Sequence, residues 1–155
     1  MTEPSERSDH VGAHARVSYV IARLDRALRR QIADMVAPHG LTATQYTALS
    51  VLRAGKGLSN AQLARRSYVT PQSMIEMLGT LEAKGLIERS PAPDHGRILR
   101  TELTAKGKRL LARCDEELDR IEGEMTRELS PEEREAFEHM LRSCVHMLHA
   151  GLPDS

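Results

Sequence analysis

The sequence predicts a mainly helical chain that carries one small β-hairpin. Three observations lead there. Apolar residues recur at three- and four-residue steps over most of the 155 residues, the mark of amphipathic helices. That period breaks once, at "GLIERSPAPDHGRILRTEL", where two short runs fit for strands flank a loop rich in Pro and Gly. Four places, beginning at Thr42, Ser59, Thr70 and Ser130, carry the side-chain signals of a helix start.

The elements follow in order. Val17, Val20, Ile21, Leu24, Leu28, Ile32 and Met35 define a long amphipathic helix from about residue 12 to about 37, stopped by "PHG". Thr42 with Gln45 three residues on opens a second helix, which ends where Gly55 and Gly57 interrupt the period. Ser59 with Gln62 opens a short third helix through about Arg66. Thr70 followed by Pro71 opens a fourth, which runs to Lys84 and stops at Gly85. "LIERS" and "ILRTEL" are the two strands, and "PAPDHG" is expected to be the loop because prolines do not suit ladder positions. From Thr104 the helical period returns, and Leu111, Cys114, Leu118, Ile121 and Met125 form a heptad seam. Ser130, Pro131 and Glu133 open the last helix, with Phe137, Met140, Leu141, Cys144, Val145 and Leu148 on its apolar face.

Composition narrows the function classes. Apolar residues make up 40% of the chain and aromatics 3%, with no Trp and a single Phe, so Leu, Met, Val and Ala must fill the core. So few aromatics argue against a stacking platform for single-stranded nucleic acid. The net charge is zero, yet residues 1–113 hold 18 Lys/Arg against 10 Asp/Glu while residues 114–155 hold 4 against 12. A basic body can face a polyanion while an acidic arm stays away from it. Two cysteines make no disulfide framework. The N-terminus is polar, and no apolar run approaches membrane-spanning length. The expectation is a cytoplasmic protein with a disordered tail over residues 1–11, no cofactor and no membrane partner. No glycine-rich phosphate loop, no "HExxH" and no nucleophile elbow is present, so an enzyme is not expected.

Two helices joined by the short "SYV" turn form a helix-turn-helix, and a hairpin directly after them makes a winged helix. The fourth helix would enter a major groove by its N-terminal half. Its apolar stripe turns Gln72, Ser73 and Glu76 outward, where such side chains can pair with base edges. Thr70 and the first backbone N–H groups suit phosphate, and Arg65 and Arg66 end the preceding helix within reach of the DNA backbone. Arg97, beside His95 at the expected wing tip, is placed to insert into a minor groove.

The run "TLEAKGLIERSPAPDHGRILRTELTAKG" resembles the MarR family of bacterial winged-helix transcription regulators, and the likeness extends over about residues 12–150. The family's wing pattern is met by Asp94, Arg97, Leu103, Thr104 and Gly107, with Asp94 and Arg97 three apart where two is usual. The resemblance implies one domain over 12–150: a DNA-binding unit at about 40–103, with dimerisation helices at about 12–37 and 104–150. It implies a homodimer on a pseudo-palindromic double-stranded operator, acting as a repressor. It also implies release by a small aromatic or lipophilic effector in a cleft to which His14, Arg16, Tyr19 and Tyr46 would contribute.

Other switches are weighed against this. Cys114 and Cys144 both sit on apolar stripes and are expected to be small core residues rather than thiol sensors. His139, His146 and His149 share part of one face without a fourth ligand at fixed spacing, so no metal is expected. A protein-binding adaptor built on the same winged unit is the remaining alternative.

Overall fold

The computed structural model describes residues 15–55, 57–93 and 95–150, and the side chains of 95–98 fall outside that description. The tail expected at 1–11 lies outside the described residues.

Helix α1 (Val17–Val36) ends in a single 3-10 turn, Ala37–His39. Gly40 follows with φ +72°, a left-handed conformation that costs glycine little. Thr42 caps α2 (Ala43–Ala54): its side chain accepts from Gln45 N at 3.1 Å, and Gln45 Oε1 accepts from Thr42 N at 3.0 Å. Ser59 and Gln62 repeat that reciprocal arrangement for α3 (Asn60–Arg66). Thr70 caps α4 (Pro71–Ala83), with proline in the first turn, where a missing N–H loses nothing. Strands β1 (Ile87–Ala92) and β2 (His95–Leu103) pair antiparallel. Helix α5 (Ala105–Met125) starts at the Thr104 cap, and α6 (Pro131–Met147) starts at a Ser130/Glu133 capping box.

One apolar core unites the end of α1, α2, α3, α4, the base of the hairpin and the first half of α5. Leu49, Leu63, Met74, Leu78, Leu81, Ile87 and Leu111 are among its fully buried side chains. Each such side chain contributes about 1.5–3 kcal/mol by leaving water. Helix α6 stands apart. It makes no more than glancing contact with the other described elements, and none of its residues is buried. Arg134 ties its start to α5 by donating to the Thr126 hydroxyl and, at 3.3 Å, to Glu122 O.

Three expectations are corrected. The hairpin ladder extends into the segment expected to be loop: Pro91 pairs with Leu99 and Ala92 with His95, after a register shift. A two-stranded ribbon leaves both outer edges unpaired, so a proline without an N–H is tolerated in it. The backbone of Arg97 falls within β2, in the register shift between Leu99 and His95. The heptad seam of α5 is divided: Leu111 and Cys114 are buried in this chain's own core, Leu118 and Ile121 pack against it, and only Met125 is exposed. Cys144 is exposed on α6, whereas Cys114 is buried as expected.

Among the described glycines, the tightest backbone approach is at Gly107, where the start of β1 meets the start of α5. A Cβ built on Gly107 would lie 2.1 Å from the Leu86 carbonyl oxygen, closer than any real side chain comes. Gly107→Ala must push two backbone segments apart. The substitution is expected to cost about 1–3 kcal/mol, as overpacking does, measured by urea unfolding; an unchanged midpoint would show that the approach carries no constraint.

Candidate nucleic-acid interface

Helices α3 and α4 meet through Ser67, Tyr68 and Val69. Ser67 is buried, and Tyr68 turns the chain with φ +58°. Val69 N then donates to Ala64 O at 3.0 Å and closes the turn. Met74, Leu78 and Leu81 bury one face of α4 in the core. The opposite face is therefore presented to solvent as a rigid surface: Gln72, Ser73, Ile75, Glu76 and Thr80 are all exposed.

The expected contact residues differ in how they are held. Thr70 Oγ1 accepts from Ser73 N at 3.1 Å and donates to Ser73 Oγ at 2.9 Å, so both side chains serve the cap while staying exposed. Gln72 Nε2 reaches Glu76 Oε1 at 3.4 Å, a long contact that leaves the Gln72 carbonyl oxygen free to accept. Arg65 is exposed. Arg66 is half-buried, with Nη1 3.3 Å from where a Cβ on Gly55 would stand, so it leans on the end of α2. The backbone of His95 and Arg97 lies in β2, and their side chains are outside the described residues.

Two exposed side chains on this surface are not among the expected contact residues. Tyr68 is 76% exposed, and Ile75 is 48% exposed beside Glu76. Ile75 was legible, because it falls off the 74/78/81 stripe. Nothing in the sequence marks Tyr68, since a left-handed turn position is ordinarily given to Gly or Asn.

The residues expected around an effector are not brought together within one protomer. Tyr19 is exposed in the first turn of α1, where Arg23 Nη1 donates to its hydroxyl at 3.2 Å. It lines a cavity of about 750 Å³ along α1 with Arg23, Arg26 and Arg30. Arg16 is exposed at the α1 N-cap, and His14 is outside the described residues. Tyr46 lies in the core that α1 reaches at its C-terminal end, through Ile32, Met35 and Val36. Roughly 25 Å of helix separate Val36 from Tyr19.

Tyr46 has another partner. Its hydroxyl donates to Asp115 Oδ1 at 2.9 Å, and Arg53 forms an ion pair with the other oxygen of the same carboxylate. Burial, reinforced by this bond to Asp115, pushes the Tyr46 hydroxyl well above the usual phenol range. Two side chains of α2 are thereby pinned to α5. Burial likewise pushes the Cys114 thiol up, the reverse of what a reactive thiolate needs. Among the described residues no group of three or more His, Cys, Asp or Glu side chains is placed to hold a metal ion. No described helix is long and apolar enough to cross a membrane.

A sequence model described as "MarR family" matches residues 39–98, the span from the end of α1 into β2. The chain is 32% identical over 127 residues to the HTH-type transcriptional repressor Rv2887 of Mycobacterium tuberculosis, covering 82% of this chain and 91% of the relative. A crystal structure of Rv2887, a MarR family protein, in complex with p-aminosalicylic acid superposes with a TM-score of 0.70 at 31% identity, over 84% of this chain and 98% of that one. The transcriptional repressor CouR, bound to a 23-mer DNA duplex, superposes with a TM-score of 0.73 at 28% identity, over 84% and 92% of the two chains.

The pin between α2 and α5 has a measurable weight. Tyr46→Phe removes one donor from Asp115, which keeps Arg53 and part of its solvent. The expected loss is about 1–2 kcal/mol, the range of a charge-assisted bond that is not fully buried, measured by urea unfolding. Stability equal to that of the parent would show that the bond only replaces one to water.

Proposed function

The chain belongs to the MarR family, and we propose that it is a transcriptional repressor: a homodimer that binds a pseudo-palindromic operator in double-stranded DNA and lets go when a small aromatic acid binds. The observation that carries this reading is the exposed face of α4. A helix held by three fully buried side chains offers Gln72, Ser73 and Glu76 at its N-terminal half, next to a two-stranded wing. That is the geometry that reads base edges in a major groove. The relative Rv2887 is itself a repressor. Such a regulator acts in the cytoplasm, where its operator is.

The unpartnered helices support the dimer. Val17, Val20 and Ile21 of α1 and Met140, Leu141, Met147 and Leu148 at α6 are exposed. Helix α1 carries four arginines against two aspartates, and α6 carries four glutamates against two arginines. Apolar faces with opposite charge suit each other across a two-fold axis. The same pairing accounts for the effector residues, because the α1 of a second copy is free to close a cleft that one chain leaves open. Rv2887 has been crystallised with salicylic acid as well as p-aminosalicylic acid, which makes an aromatic carboxylate the effector class to test.

Selection of bound duplexes from a random pool tests the function. The expected result is a pseudo-palindrome with half-sites about 10 base pairs apart, released on titration with salicylic acid. No enriched sequence would overturn the repressor reading, and an operator complex indifferent to the acid would overturn the effector class.

Reading and holding should then separate. Gln72→Ala is expected to relax base preference at one position of each half-site, at about 1–3 kcal/mol on the preferred site. Arg65→Ala, which removes an exposed cation from the end of α3, should weaken all sequences alike and flatten the salt dependence by roughly one unit per half-site. Competition against single-base variants measures both. A change of preference with Arg65→Ala and none with Gln72→Ala would reverse the assignment.

The assembly is tested on α6, where a substitution leaves the protomer core untouched. Met140→Glu sets a charge into the proposed subunit contact and should convert the dimer into a folded monomer, because an unpaired buried charge is costly. Sedimentation reads the mass. A parent protein that already sediments as a monomer at micromolar concentration would rule the dimer out.

A further inference from the structure

A second surface of positive charge lies away from the groove-facing end of α4. A cavity of about 450 Å³ opens between the 3-10 turn after α1, the end of α4 and the first turns of α5. Lys84, Lys106, Arg109 and Arg113 line it, His39 stands at its edge, and no carboxylate is among its lining residues. Leu86 and Leu110 give it an apolar patch. Lys84 follows the last residue of α4, about 20 Å along the helix axis from the Thr70 cap. The cluster is therefore remote from the end that would enter a groove.

The charges are held in place. Lys84 Nζ donates to Gly40 O, and Lys106 Nζ donates to Lys84 O at 2.8 Å. Each ammonium keeps further N–H donors for another acceptor. His39 Nε2 contacts Glu117 Oε1 at 3.2 Å, which orients the ring at the rim. Arg109 and Arg113 form no ion pair among the described residues. They are four residues apart on one helix, where like charges repel. The first turn of α5 contains no acid to offset Lys106 and the positive end of the helix dipole. No carboxylate in the lining offsets these repulsions, whereas a bound anion would add an attraction to each of the cations.

We propose that this cavity binds a small organic anion with at least two negative charges beside an apolar body, the chemistry shared by phosphorylated and dicarboxylic metabolites. Two charges match the paired arginines and the two anchored ammoniums, and the apolar body covers Leu86 and Leu110. The site is separate from the aromatic-acid cleft proposed above and needs no DNA.

Calorimetric titration of the intact protein with phenyl phosphate, phthalate and benzoate tests it. Saturable binding of phenyl phosphate or phthalate, at least tenfold tighter than benzoate, is expected, and which of the two binds tighter identifies the anion class. The same probe should raise the thermal unfolding midpoint. Arg109→Gln/Arg113→Gln should weaken binding at least tenfold and abolish the midpoint shift. Arg65→Ala/Arg66→Ala, which removes cations beside the α3–α4 turn, should leave binding intact. The proposal is overturned by the absence of saturable binding to either doubly charged probe, or by equal binding to the Arg109/Arg113 variant. It is overturned as well if that variant changes the sedimentation mass, which would assign the arginines to a contact with the acidic arm of a second copy. Since no DNA is present, none of these failures bears on the repressor reading.

Discussion

The contact between the Leu86 carbonyl and the backbone at Gly107 sets the geometry on which the rest of the fold depends. Three elements end or begin there. Helix α4 stops at Gly85, whose φ of +70° turns the chain into β1. Thr104 N donates to Leu86 O at 3.1 Å, and the Thr104 hydroxyl donates to Gly85 O at 2.7 Å while accepting from Gly107 N at 3.0 Å. One threonine thus satisfies the end of α4, the root of the hairpin and the start of α5. Only a residue without a Cβ at 107 lets them come so close. The pattern Leu103-Thr104 followed by Gly107 therefore has a mechanical reason, independent of any ligand.

From that joint outward, α5 behaves as part of two bodies. Its first half belongs to the winged unit: Leu111 and Cys114 are buried there, and Asp115 holds Tyr46 and Arg53 of α2. Its second half leaves the core at Met125 and leads to α6, which packs on little of its own chain. In the proposed dimer, a stiff helix fixed at one end to the surface that would meet DNA, and exposed at the other to a second copy, would convert the geometry of the pair into the spacing between two α4 helices. On that proposal, a ligand that biased how α5 leaves the winged unit would change the spacing, and two half-sites one turn apart would tolerate little change.

The parts of this arrangement that rest on local chemistry were legible from the sequence. Thr42, Ser59, Thr70 and Ser130 each announce a helix because a side-chain oxygen at that position satisfies an otherwise unpaired N–H three residues on. The 74/78/81 stripe fixes which face of α4 is buried, and so which residues face out. What periodicity cannot say is which body covers an apolar face. Leu111 and Met125 share one seam, yet the first is buried by its own chain and the second is exposed, just as Cys114 is buried and Cys144 is not. Pro91 misled for a different reason: proline forbids a ladder position only where its N–H side faces a neighbouring strand, and a two-stranded wing has an outer edge. Tyr19 and Tyr46 stand apart in the protomer because Tyr46 lies in the core and Tyr19 in the exposed first turn of a long helix, a separation that spacing along the chain does not reveal.

The charge along α5 runs against the helix's own interest. Lys106, Lys108, Arg109 and Arg113 crowd its first turns, and Asp115, Glu116, Glu117, Asp119, Glu122 and Glu124 follow toward its end. A helix chosen for its own stability would carry the reverse order, acids first and bases last, since each misplaced charge in a terminal turn costs about 0.3–1 kcal/mol. Tertiary structure offsets part of this: Asp115 answers Arg53, Glu117 answers His39, and Lys106 finds the Lys84 carbonyl. The remainder is explained by what lies beyond each end. The basic turns stand with the winged unit, where polyanions are attractive, and the acidic turns lead away toward α6, where approach of a phosphate backbone is opposed. The neutral total therefore conceals a directional field along one helix, which favours one orientation of the molecule on DNA before any base is read.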